Sequence, residues 1–325
     1  MAYVISHLGR VTFLLFLINV VSGIMLSFYY LPSSPYNSVS YIVKNVEFGL
    51  LTRSIHHWSA YLLIFLVLIH LLRSLLQGKY KVSGKSWIVG SLMGLLVLGC
   101  SFTGHLLVWN QESYWSTIIG IRIVETLPYI GGPMKTFLLG GYEVTTTTTG
   151  RFYALHTLML PALLTVLMVF HMHSVNQLWE FLFNFMRRLG IVGTRGKGNI
   201  EEMDAAAFSS LSLELMEIFY TIGVVLLLAS LFPQGIGEKA NPLITPAQVK
   251  PEWYFLFIYQ ALKYVPKETG AVLFFLIIPI LIILLPLIDR GPSLAIHPVK
   301  RPLATILVLL GLAVLFSLTI FGWLA

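Results

Sequence analysis

Apolar residues in this chain arrive in long blocks rather than in stripes. Seven runs, at positions 11–31, 55–77, 87–109, 154–176, 213–232, 270–288 and 303–323, are predominantly apolar. A run of about 20 such residues is long enough to cross a bilayer as a helix. The expected fold is therefore all-α: a polytopic membrane protein of about seven transmembrane helices. Connections of 23, 44 and 37 residues follow the first, third and fifth spans, all on one side, and one of 36 residues follows the fourth on the other. The expected organisation is a four-helix bundle over 1–185, a linker over 186–212 that holds Gly193-Thr-Arg-Gly-Lys-Gly198, and a three-helix part over 213–325. In the long third connection, Thr145–Thr149 reads as a surface loop.

The second span breaks its own pattern. His56 and His70 lie 14 residues apart with Arg53 and Arg73 just outside them. Fourteen residues are close to four helical turns, so the two imidazoles share a face, separated by roughly 21 Å of rise. An ionisable residue inside a span points to function. The fourth span repeats the pattern: Arg151 precedes His156, and His171 follows 15 residues later, with His173 just beyond it and Pro161 between. A kink at Pro161 would absorb the extra residue. The two spans run in the same direction, so His56 matches His156 in depth and His70 matches His171. Each pair can grip one metal from both sides, as in a bis-imidazole haem. His57 faces away from the His56/His70 face and reads as structural.

Glycine repeats the same interval. Gly9 and Gly23 are 14 apart in the first span, as are Gly90 and Gly104 in the third. A flat macrocycle wedged into a bundle needs helix surface without side chains, which glycine supplies. Arg53, Arg73 and Arg151 sit at membrane boundaries, where they can pair with haem propionates or simply snorkel.

Composition narrows the chemistry. The chain is 57% hydrophobic and 11% charged, and its net charge of +7 fits a membrane protein with basic cytoplasmic loops rather than a nucleic-acid binder. Assigning lysines and arginines to sides gives 12 against 9, which places the N-terminus inside and the C-terminus outside. The first run lacks a small-residue cleavage site and reads as a retained span. The single cysteine, Cys100, excludes an internal disulfide and a Cys-x-x-Cys-His haem attachment. Between the fifth and sixth spans, Pro251-Glu252-Trp253-Tyr254 opens an aromatic stretch reaching Tyr259, on the same side as His56 and His156. In apolar surroundings Glu252 would have a raised pKa and accept a proton, as quinol oxidation beside a one-electron carrier requires.

Four motifs, Arg53-Ser-Ile-His56…His70-x-x-Arg73, Thr103-Gly104-His-x-x-x-Trp109-x-Gln111, Arg151-Phe-Tyr-x-Leu-His156 and Pro251-Glu252-Trp253-Tyr254, together resemble cytochrome b of the Rieske/cytochrome b quinol oxidoreductases. The resemblance covers nearly the whole chain. The histidine spacing looks most like the plastid and cyanobacterial branch, and Pro-Glu-Trp-Tyr-Phe-Leu-Phe-x-Tyr259 closer to the mitochondrial one, with the two parts fused here.

The resemblance implies an integral subunit of a bacterial, archaeal or energy-transducing organelle membrane. It implies two non-covalent bis-His b haems, quinol oxidation at the outer side with Glu252 taking a proton and Tyr259 nearby, and quinone reduction at the inner side, coupled to proton translocation. Implied partners are a Rieske iron–sulfur protein, a c-type cytochrome or other high-potential acceptor, and a second copy of the complex. Two departures stand out. His7 occupies the position of the plastid-type cysteine, so no covalent c-type haem is expected, and Val108-Trp109-Asn110 replaces the usual Pro-Trp sequence of the quinol pocket. The inner quinone site has only His7, His173 and Asp204 as candidates. The competing readings are a dihaem anchor relaying electrons between a dehydrogenase and quinone, and a transporter with a histidine proton relay.

Overall fold

The computed structural model describes residues 8–174, 200–289 and 301–324. Every named element among them is helical: α1 Leu8–Ser27, α2 Pro35–Asn45, α3 Gly49–Leu76, α4 Lys79–Val82, α5 Gly84–Leu106, α6 Gln111–Glu125, α7 Gly131–Leu139, α8 Thr146–Ala154, α9 Leu160–Ser174, α10 Ile200–Leu231, α11 Leu256–Ala261, α12 Lys267–Val272, α13 Ile278–Ile288 and α14 Pro302–Leu324. Six stretches are long and apolar enough to cross a membrane: Leu8–Ser27, Gly49–Leu76, Gly84–Leu106, Thr146–His173, Lys267–Ile288 and Pro302–Leu324. The remaining expected span is the apolar stretch Leu215–Leu231 of α10. Its helix is already formed at Ile200, the first residue described there, so the helical chain reaches back into the expected 186–212 linker. Glutamate and alanine, frequent over 201–207, are good helix formers.

Helices α1 and α3 pack together, as do α5 and α9, and α10 lies against α3 and α1. The bundle centre is apolar: Leu15, Phe16, Leu63, Leu164 and Val225 are buried, with Val97 and Cys100 packed against them. Phe16, Leu63, Val97 and Leu164 come from four helices, and each lies midway between the paired glycines or histidines of its own span. They form a plug that separates two polar levels.

The fourth span is not a uniform α-helix. Residues Leu155–Met159 form a π-helical turn between α8 and α9. Pro161 has no N–H to donate to the preceding turn, and a π turn accommodates one extra residue. The adjustment expected as a kink at Pro161 is this turn. A second one, Leu273–Ile277, precedes Pro279 in the same way.

Ahead of it, the threonine tract is not a loop. Thr145 caps α8: its hydroxyl accepts from the Thr147 N–H at 3.2 Å, while its own N–H donates to Thr148 Oγ1 at 3.0 Å. Thr148 and Thr149 are fully buried, and the Thr148 hydroxyl donates to the Leu139 carbonyl at 2.8 Å. Run composition suggested a surface loop, but hydroxyls that satisfy backbone groups at a helix start are a capping device.

Two polar clasps join the parts. At the end of the bundle that carries His70 and His171, Asp289 accepts from Lys81 Nζ at 2.6 Å and Tyr80 Oη at 2.7 Å, with Arg301 at 3.4 Å. At the opposite end, residues 232–244 lie across the bundle. Trp58 Nε1 donates to the Phe232 carbonyl at 2.8 Å, Tyr36 Oη to Gly237 at 2.9 Å and Asn110 Nδ2 to Ile236 at 3.0 Å. Trp109-Asn110-Gln111 is the centre of this seam. Gln111 N donates to the Glu238 carbonyl at 2.9 Å and Ala240 N to Trp109 at 3.2 Å. The Gln111 side chain accepts from Asn241 N at 2.8 Å and donates to the Ile244 carbonyl at 3.2 Å. Asn110 also caps α6 through Ser113 N at 2.9 Å. The unusual Val108-Trp109-Asn110 sequence therefore joins the two long loops.

Candidate functional site

The fold brings the four histidines together as two pairs. Ring centroids are 6.0 Å apart for His56 and His156, and 6.4 Å for His70 and His171. A metal bonded to imidazole nitrogens at ~2.0–2.1 Å on both sides would set the centroids about 6.3 Å apart. Both pairs match that span. Each would supply two imidazoles to an iron whose other positions a tetrapyrrole would fill.

One local device recurs behind the rings. His156 Nδ1 lies 2.9 Å from the Cys100 carbonyl, four residues before Gly104, and a Cβ on Gly104 would stand 2.5 Å from His156 Cε1. His171 Nδ1 lies 3.1 Å from the Ser86 carbonyl, four before Gly90, where a Cβ would stand 3.0 Å from Cε1. His56 Nδ1 lies 3.1 Å from the Asn19 carbonyl, four before Gly23, where the distance would be 3.2 Å. Gly9 faces His70 at 3.8 Å, and the matching carbonyl, at Ile5, lies outside the described residues. A helical carbonyl at i−4 lies beside the residue at i, so only a bare Cα lets a ring reach it. The glycines thus back the histidine rings themselves, a closer role than clearing space for a macrocycle. Where Nδ1 donates to such a carbonyl, as in His56, His156 and His171, the tautomer is set and Nε2 keeps its lone pair.

These residues fit haem iron. The family comparison then decides the identity: residues 1–178 match the family model described as Cytochrome b/b6/petB, and residues 239–325 match the model described as Cytochrome b(C-terminal)/b6/petD. The chain belongs to the cytochrome b family. A solved structure described as a hyperthermophilic respiratory Complex III aligns with this cytochrome b over 99% of the present chain and 84% of the other, with a TM-score of 0.73 and 28% identity. Membership implies b-type haem binding, and the family's N-terminal and C-terminal parts are here one chain.

Arg53 and Arg151 of this cytochrome b have backbone partners. Arg53 donates to the carbonyls of Gln234 and Gly235, the latter at 3.0 Å. Arg151 donates to Thr136 at 3.2 Å and to Phe137, whose ring it also covers. Arg73 is half-buried at the His70 end of α3.

Near the His56–His156 level the structure assembles a cluster that sequence reasoning had only partly named. Glu252 is half-buried, with Oε1 at 3.0 Å from His105 Nδ1, and its Oε2 accepts from the Tyr61 hydroxyl. The His57 ring packs on Tyr61 at 4.2 Å, and the Tyr254 ring is 6.1 Å from Tyr61. The Tyr254 and Ser101 hydroxyls are hydrogen-bonded. Burial pushes the Glu252 carboxyl up, but the His105 hydrogen bond and positive charge, the Tyr61 hydrogen bond and the His57 charge outweigh it and hold the group below its ordinary value. The expected raised pKa is overturned, because two donors meet a carboxylate that was pictured in apolar surroundings.

His105 and Tyr61 were missed, and the only sequence signal was their adjacency: one follows Gly104, and the other lies five residues past His56. Tyr259 is not among Glu252's hydrogen-bond partners; its ring lies 4.7 Å from Lys263 Nζ. His173 is exposed, while His7 and the Asp204 side chain lie outside the described residues.

Proposed function

We propose that this chain is the cytochrome b subunit of a quinol oxidoreductase, with two non-covalent b haems held by His56 with His156 and by His70 with His171. The observation that carries the reading is the repeated unit of carbonyl, histidine and glycine at both levels. The unit is complete at His56, His156 and His171, and the four imidazoles lie in two pairs at metal-bridging separation. Bound there, haem supplies one-electron transfer at each level. The chain's own residues do the rest. Backbone carbonyls orient the imidazoles, the apolar plug around Phe16 and Leu63 excludes water between the levels, and the Glu252 cluster receives protons. Arg53, Arg73 and Arg151 offer their remaining donors to haem carboxylates, as a guanidinium's five N–H groups allow.

In this reading quinol is oxidised at the outer face, beside Glu252 with Tyr259 nearby. Quinone is reduced at the inner face near His70 and His171, where His7, His173 and Asp204 are the candidates, and proton translocation is coupled to the cycle. The N-terminus lies inside and the C-terminus outside. Similarity to a Complex III chain supports a multisubunit assembly. The same reading takes a Rieske protein and a c-type cytochrome or similar acceptor as partners, in a homodimeric arrangement. Redox titration of the reduced-minus-oxidised spectrum of the purified complex tests the reading. Two b-type components of different potential are expected, and a colourless protein overturns it.

A further inference from the structure

We propose that His105 Nε2 is the atom that takes the proton from quinol, and that Glu252 receives a proton in relay from His105 Nδ1. The inference rests on the quinol-oxidising reading above. Three observations lead to it. Both Glu252 oxygens already have partners, Oε1 with His105 Nδ1 and Oε2 with the Tyr61 hydroxyl, so the carboxylate is poorly placed to meet a new hydroxyl directly. His105 Nε2, by contrast, is buried and has no hydrogen-bond partner among the described residues. A buried polar atom left unpaired is costly, a penalty that a bound hydroxyl would remove. Finally, His105 follows Gly104, which backs the ligand His156, so the free nitrogen belongs to the His56–His156 level.

The chemistry follows from the inventory of an imidazole. A neutral ring that donates Nδ1–H to a carboxylate carries its lone pair on Nε2. The carboxylate both fixes that tautomer and stabilises the imidazolium as it forms, as in histidine–carboxylate pairs generally. As the quinol O–H bond breaks, an N–H bond forms at Nε2, the Nδ1–H bond breaks, and an O–H bond forms at Glu252 Oε1. One quinol and one carboxylate become one quinol anion and one carboxylic acid, and no electron moves in this step. Glu252 keeps enough exposure, 23% of its side chain, to return the proton to water and reset the pair. The titratable groups facing the pair are Tyr61 and His57 on α3 and Tyr254 beside Glu252, with Arg53 and Glu112 acting at longer range on His57 and Tyr61.

The test compares His105→Asn and His105→Gln with wild type in the whole complex, reading quinol oxidation across pH. Asn keeps an N–H donor toward Glu252 but deletes Nε2, while Gln places an amide that cannot take the proton. A positioned base contributes about 10²–10⁴ in rate, so both variants should fall at least tenfold with unchanged haem spectra. The pH profile of turnover should differ between wild type and both variants, which lack the acceptor nitrogen. A wild-type rate and pH profile in His105→Asn overturns the relay. A wild-type complex whose haems are reduced by dithionite but never by quinol overturns the quinol-oxidising reading instead.

Discussion

Gly104 on α5 leaves the His156 ring no spare room: a Cβ would stand 2.5 Å from Cε1 and 2.9 Å from Nδ1. The ring is fixed at Nδ1 by the Cys100 carbonyl, 2.9 Å away, and under haem ligation it would be fixed at Nε2 as well. It cannot swing aside. Gly104→Ala should therefore remove the haem of the His56–His156 level and spare the other. The four glycines should grade by clearance, at 2.5 Å for Gly104, 3.0 Å for Gly90, 3.2 Å for Gly23 and 3.8 Å for Gly9, with Gly9→Ala nearly silent. Haem content and redox spectra of the four alanine variants check the order. Equal losses at Gly104 and Gly9 would remove the clearance argument.

Single ligand changes should separate the two levels. His56→Leu should abolish one b-type component and His171→Leu the other, because the apolar plug keeps the pairs structurally independent. Titration of each variant should show one wave in place of two. A variant that retains both waves would exclude its histidine as a ligand.

The π turn yields a deletion experiment. His156 and His171 are 15 residues apart, and the π turn at Leu155–Met159 absorbs the residue in excess of 14. Deleting exposed Leu158 should convert the turn to regular α-helix while both histidines keep their facing. Haem occupancy should stay near wild type at both levels. Loss of the His156 component alone would show that the turn does more than absorb the extra residue.

The outer seam depends on Gln111. Its side chain makes bonds of 2.8 Å to Asn241 N and 3.2 Å to the Ile244 carbonyl, each contributing about 1 kcal/mol. Losing both, about 2 kcal/mol, Gln111→Ala should speed amide hydrogen exchange across residues 238–244 by roughly 30-fold, since 1.4 kcal/mol is about a factor of ten. Unchanged protection at Asn241 would place the seam's strength elsewhere, in Arg53, Trp58 and Tyr36.

What the sequence determined by itself is the part governed by helical period. Seven predominantly apolar runs, histidines 14 and 15 residues apart and glycines 14 apart follow from 3.6 residues per turn across a fixed bilayer thickness, and they sufficed to single out the four ligand candidates.

Tertiary structure alone decided what meets across helices. No periodicity relates His105 to Glu252, 147 positions later, so neither that contact nor the lowered carboxyl pKa was legible. The carbonyls of Asn19, Cys100 and Ser86 carry no side-chain signature at all, because backbone groups look alike in every sequence. Gly104 stands between the two cases: its interval was visible along the chain, but its purpose appeared only when the fold set the His156 ring against its bare Cα.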